Sequence, residues 1–83
     1  MAATLKLFAT LTSLLPPGAK ANSAPVDVGP GSTVISVIEA AGVDRRLCHL
    51  VLLNGVFVPI EARAATPVGD GDVLAIWPPI GGG

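Results

Sequence analysis

Only one stretch of this chain has the spacing of an amphipathic helix, and that limits the architectures open to it. In TVISVIEAAG, residues 33–42, Val34, Val37, Ile38 and Ala41 fall at i, i+3, i+4 and i+7, a stripe that must be buried against a neighbouring element. Ser32 or Thr33 offers a hydroxyl to the free N–H groups of the first turn, and Gly42 offers a left-handed stop. The stripe is rich in β-branched residues, so the helix depends on packing more than on its own propensity.

The other apolar segments read as strands. TLKLF (4–8) alternates, with Leu5 and Leu7 on one side and Lys6 and Phe8 on the other, the period of a half-buried strand. TSLLPPGAKANSAP (12–25) reads as a surface connection with at most one helical turn at Leu14 and Leu15, and VDV (26–28) as a short second strand ended by Gly29-Pro30-Gly31. LCHLVLLNGVFV (47–58) is an apolar run split by Asn54-Gly55, the strongest short hairpin signal, because both turn positions must accept positive φ. It predicts a long central strand before the turn and a short one after it. EARAATPV (61–68) reads as a loop, GDGD (69–72) as a tight turn and VLAIW (73–77) as a last strand with Leu74 and Ile76 on one face.

The order strand, strand, helix, strand, short strand, strand, in 83 residues, predicts a two-layer α+β domain in which one helix covers one sheet. That is the element order of the β-grasp, or ubiquitin-like, fold. There the first and last strands run parallel and adjacent in mid-sheet, which leaves the C-terminus free at one end. The β-grasp domain is expected over residues 1–77 and a flexible Pro-Pro/Gly tail over 78–83.

Parity assigns faces. With Leu5 and Leu7 under the helix, Phe8 lies on the opposite, uncovered face. With Leu74 and Ile76 under it, Trp77 lies there too. Phe57, the remaining aromatic, follows the hairpin turn and can join them. Contiguous apolar patches of this kind mark partner sites.

Composition agrees with a surface meant to be covered. Apolar residues make up 51% of the chain and charged residues 13%, lean for solubility. The net charge of −1 and the scattered Lys6, Lys20, Arg45, Arg46 and Arg63 give no electrostatic footprint for nucleic acid. A single cysteine, Cys48, excludes an internal disulfide and points to a reducing cytoplasm. MAATLKLFATL has no cationic leader pattern, and Pro or Gly interrupts every apolar run short of membrane-spanning length. A soluble cytoplasmic chain without a membrane partner is therefore expected.

Other chemistry is weakly signalled. Cys48 and His49, as neighbours on a strand, would point to opposite faces, so Cys48 reads as a buried small residue and His49 as a surface one. Asp70 and Asp72 read as turn residues and Arg45 and Arg46 as solvated charges near a helix end. GPGS lacks the lysine of a phosphate-binding loop, and no metal site is expected. The ending is more informative. Three glycines without Cβ atoms form a narrow strand able to thread a tunnel, and Pro78 and Pro79 stiffen the segment before them.

LFATL (7–11), VLLNG (51–55) and DGDVLAIWPPIGGG (70–83), within the β-grasp order, resemble the MoaD/ThiS family of ubiquitin-like sulfur carriers. The aromatic-Pro-Pro ending and the long connection after the first strand are most similar to the small subunit of molybdopterin synthase. Two features differ from the molybdopterin members: Thr12-Ser13 stands where an Arg-Glu pair is common, and Trp77 where Phe is usual.

The resemblance implies a carrier rather than an enzyme by itself. An E1-like adenylating enzyme would use ATP to activate the carboxylate of Gly83, after Gly82. A sulfur donor such as a cysteine desulfurase or rhodanese would then convert it to a thiocarboxylate, with no cofactor bound by the chain. Phe8, Phe57, Trp77, Pro78, Pro79, Ile80 and Gly81 would dock on that enzyme and on a large synthase subunit. Molybdopterin is the first expected acceptor. A tungsten-type pterin, thiamine, a thiolated tRNA and conjugation to lysines stay open, as does a non-catalytic β-grasp interaction module.

Overall fold

The computed structural model describes residues 1–79. Five strands, β1 (Ala2–Leu7), β2 (Ser23–Asp27), β3 (Leu50–Leu53), β4 (Val56–Phe57) and β5 (Val73–Trp77), form one sheet in the order β2-β1-β5-β3-β4, and α1 spans Val34–Ala40. β1 and β5 are parallel neighbours, with Leu5 opposite Leu74 and Leu7 opposite Ile76, and every other pairing is antiparallel. This is the mixed sheet and single main helix of the expected α+β, β-grasp architecture.

The helix begins where its sequence indicates. Thr33 is the N-cap: its Oγ1 accepts from the Ser36 N–H at 3.1 Å, while Ser36 Oγ accepts from the Thr33 N–H at 2.8 Å, a reciprocal box that satisfies two otherwise free donors. The loop before β5 takes the next donors, Val34 N–H to Thr66 O and Ile35 N–H to Arg63 O. Gly42, at φ 75°, ends the helix in the left-handed region. Val34, Val37 and Ile38 are buried in one cluster with Leu5, Leu7, Val51, Leu74 and Ile76. The i, i+3, i+4 stripe and the inner parity of β1 and β5 therefore meet in a single core.

Asn54 and Gly55 take φ values of 52° and 82°, as a two-residue turn with both central residues left-handed requires. Asn54 also ties the hairpin to the turn before β5. Its Nδ2 donates to Asp72 Oδ1 at 3.0 Å, and its Oδ1 accepts from the Val73 N–H at 2.9 Å. Asp72 Oδ2 accepts from the Gly69 N–H at 2.8 Å, and Asp70 Oδ1 accepts from the Ala2 N–H at 2.9 Å. Both aspartates thus hold the turn, as expected, and anchor the start of the central strand pair.

Several boundaries differ from the sequence reading, beginning with β1, which spans Ala2–Leu7 rather than 4–8. β2 starts three residues early because Lys20 and Ser23 close a two-residue turn through paired backbone hydrogen bonds. Pro25 is tolerated there because β2 is an edge strand. The helical turn after β1 is a 3-10 segment over Ala9–Leu14, longer than the one turn expected, with Leu11 buried. The long central strand is shorter than expected: Arg45–Leu47 form a 3-10 turn capped by Asp44, whose side chain accepts from the Arg46 N–H, and pairing begins at Leu50. The loop at 61–68 opens with a third 3-10 turn, Ile60–Ala62. It also buries Arg63, whose Nη1 donates to Cys48 O at 3.0 Å and Nε to Val58 O at 3.4 Å.

Asn54→Ala removes two hydrogen bonds and a residue type that tolerates positive φ, and is expected to destabilise the domain by about 2 kcal/mol in chemical denaturation. The Gly69 N–H, first, and the Asn54 amide hold the Asp72 carboxyl below its ordinary value of 3.8. A depressed folded-state pKa contributes stability that is present above the unfolded value and lost as pH falls through the folded one. Unfolding midpoints should therefore drop below about pH 4, and Asp72→Asn should flatten that acid limb.

Candidate functional site

β1 and β5 both run toward the end of the sheet where the chain leaves for its C-terminus, and their last residues meet there. Phe8 N–H donates to Ile76 O at 3.2 Å, extending the parallel ladder one residue past β1. On the other side of β5, His49 N–H donates to Trp77 O at 2.9 Å. The backbone at Trp77 is thus held from both flanks. The two rings stack with centroids 4.2 Å apart and planes 2° from parallel, on the face opposite α1, where parity placed them.

Phe57 shares that face but not the stack. It pairs with Leu52, which pairs with Ala75, which pairs with Lys6, so one strand and one row separate it from Trp77. It is 55% exposed. The intervening positions extend the patch: Leu50, opposite Trp77, is 36% exposed, and Leu52 is half-buried. Leu50 and Leu52 were missed as surface residues. The signal was available, because counting back by twos across the Asn54-Gly55 hairpin from Phe57 reaches both.

A groove of about 410 Å³ opens beside the stack, lined by Ala9, Thr10, His49, Leu50, Trp77 and the two prolines. His49, read only as a surface residue, is exposed and lines this groove. Pro78, expected to offer docking surface, is instead buried beside the stack and contributes only a wall, whereas Pro79 is exposed. Ile80, Gly81, Gly82 and Gly83, the part of the expected 78–83 tail beyond the two prolines, lie outside the described residues.

The remaining candidates are structural. Cys48 caps the 3-10 turn rather than sitting on a strand, yet it is buried while His49 is exposed, so the two still do not form a dyad. Burial pushes the Cys48 thiol up from its ordinary value, and its Sγ donates to Asp44 O at 3.6 Å, which leaves it a poor nucleophile. Arg45 and Arg46 are exposed and face Glu39 and Asp44 at 3.8 and 2.9 Å, pairs worth little in solvent. Among the described residues no helix is long and apolar enough to cross a membrane.

Sheet order, single helix and parallel central pair define a ubiquitin-like β-grasp protein. The chain belongs to the ThiS family, whose model matches residues 5–83, within the MoaD/ThiS-like group of ubiquitin-like sulfur carriers. Among solved structures it is similar to SAMP1 from Haloferax volcanii, at 26% identity over 100% of both chains with a TM-score of 0.70. It is also similar to the thiamine biosynthesis protein ThiS from Geobacter metallireducens, at 26% identity over 96% of this chain and 99% of that one, TM-score 0.61. Subunit 1 of the molybdopterin-converting factor from Helicobacter pylori, solved in complex with subunit 2, shares the fold at 18% identity over 100% of both chains, TM-score 0.59. No curated protein sequence matches the chain.

Stacking fixes the environment of the only tryptophan in the chain. Phe8→Ala should shift the intrinsic emission of Trp77 to longer wavelength and cost about 1 kcal/mol of stability beyond lost area. An unchanged spectrum would show that the rings do not stack in solution.

Proposed function

We propose that this chain carries sulfur as a C-terminal thiocarboxylate on Gly83 and delivers it in cofactor biosynthesis, with molybdopterin the first candidate acceptor. The observation that supports this reading best is the stacked Phe8–Trp77 pair, half-buried on the sheet face that α1 does not cover, with Trp77 two residues from the last described position. It puts an apolar docking patch at the root of a tail that ends Gly81-Gly82-Gly83.

The division of labour follows from chemistry. A carboxylate is a poor acyl donor, so an E1-like enzyme with ATP forms a mixed anhydride with AMP at Gly83 and releases pyrophosphate. A persulfide sulfur from the donor then attacks the acyl carbon and AMP leaves. Reductive cleavage of the resulting acyl disulfide by a thiol leaves the thiocarboxylate. The folded domain supplies affinity through its open face, while the absence of Cβ atoms at the last three residues lets the carboxylate enter a narrow active site. ATP binds to the partner.

The likeness to a subunit found in complex with a second one favours a large synthase subunit as the later recipient. The likenesses to ThiS and SAMP1 keep thiamine synthesis and protein modification as the alternative destinations. All of these use the same activated Gly83.

Deleting Gly83 separates carrier from interaction module. The variant should retain its unfolding midpoint and its binding to the E1-like enzyme but lose ATP–pyrophosphate exchange. Exchange at the wild-type rate would overturn the reading. Trp77→Lys should do the reverse, weakening binding while the tail stays chemically intact.

A further inference from the structure

The open face of the sheet is apolar over β3, β4 and the end of β5, and its polar residues, Thr4, Lys6, Ser23 and Asp27, lie on β1 and β2. By register its central row runs Phe57, Leu52, Ala75, Lys6 and Ser23 across β4, β3, β5, β1 and β2. The row above it holds Leu50, Trp77 and Phe8. Lys6 therefore borders the aromatic stack and sits at the β2 side of the apolar patch. It is half-buried and takes part in no ion pair or side-chain hydrogen bond among the described residues. The other charged residue of a strand with this parity is Asp27, opposite Ala2 at the far end of β2. It lies four residues along the strand from the Lys6 row, roughly 13 Å at about 3.3 Å per residue, beyond the screening length in physiological salt.

We propose that Lys6 determines which partners this face accepts: the matching surface is apolar and carries a carboxylate that pairs with the Lys6 ammonium at the β2 border of the patch. The proposal rests on the docking role given to the open face above. Covering Lys6 strips water from its ammonium, and a desolvated charge without a counterion is costly. Ala75 on one side and Ser23 on the other offer no acceptor carboxylate, so the compensating anion has to come from the partner. A partner that presents a cation or only apolar groups at that point is disfavoured by the same cost, which is how a charge at the border of an apolar interface confers selectivity. The stem of Lys6 can lie along small neighbours while its head turns to the rim, which places the pairing carboxylate beside β2 rather than beside Phe57.

The test measures the dissociation constant of the full-length chain for the E1-like adenylating enzyme of the same organism, for wild type, Lys6→Arg, Lys6→Met, Lys6→Glu and Trp77→Lys, each shown by circular dichroism to be folded at the assay temperature. Lys6→Met should weaken binding by about tenfold and Lys6→Glu by more, with Lys6→Arg near wild type. The affinity of wild type should fall with salt more steeply than that of Lys6→Met. Lys6→Met or Lys6→Glu binding as tightly as wild type, while Trp77→Lys does not bind, would overturn the role of Lys6 and leave the docking face intact. If Trp77→Lys also binds like wild type, the docking reading falls and the Lys6 proposal falls with it.

Discussion

The parallel pairing of β1 with β5 is the constraint on which the rest of this molecule depends. It joins the first and last strands in the middle of the sheet, so neither is an edge, and their inner residues Leu5, Leu7, Leu74 and Ile76 are almost completely buried. Parallel neighbours end at the same side of a sheet. The residue that follows β1 and the residue that closes β5 therefore become Phe8 and Trp77, stacked on the face the helix does not cover. The same pairing sends the chain past Pro78 and Pro79 at that end, beside the patch. The patch and the exit of the chain at Pro78 and Pro79 are neighbours because of strand topology.

Burial and exposure are divided by parity within single strands. Along β5, Leu74 and Ile76 belong to the core, and Trp77 belongs to the open face. Ala75 also has outward parity yet is buried, flanked in register by Lys6 and Leu52. A small residue in mid-face lets larger neighbours close over it, so the patch is an almost continuous surface. The turn at the opposite end, held by Asn54, Asp70 and Asp72, fixes where β5 starts and therefore which of its residues face out. Support of the site thus begins far from it.

Most of the fold was legible because its signals were local and agreed with one another. The helix stripe, its Thr33 cap, the Asn54-Gly55 turn and the alternation of β1 and β5 each rest on a few adjacent residues. What was not legible depended on distant partners. Leu47, Cys48 and His49 look like strand residues, but the Asp44 side chain captures the Arg46 N–H and turns the backbone first. Arg63 sits in a segment that reads as a polar loop, yet it is buried because the carbonyls of Cys48 and Val58 converge on it. At the site, Phe8 and Trp77 followed from parity alone. Leu50 and Leu52 were within reach of the same counting across the Asn54-Gly55 turn, whereas the groove position of His49 depended on where β3 begins, which the overlong central strand had blurred.

The function proposed for this chain is chemical: in it, the folded domain presents an activated carboxyl group at Gly83. Intact-mass spectrometry of the wild-type chain after incubation with an E1-like enzyme, ATP and a sulfur donor tests it most directly. A sulfur carrier yields a product heavier by the difference between one sulfur and one oxygen atom, with the change confined to the C-terminal fragment. An unmodified mass under conditions in which the enzyme converts an established carrier would contradict it.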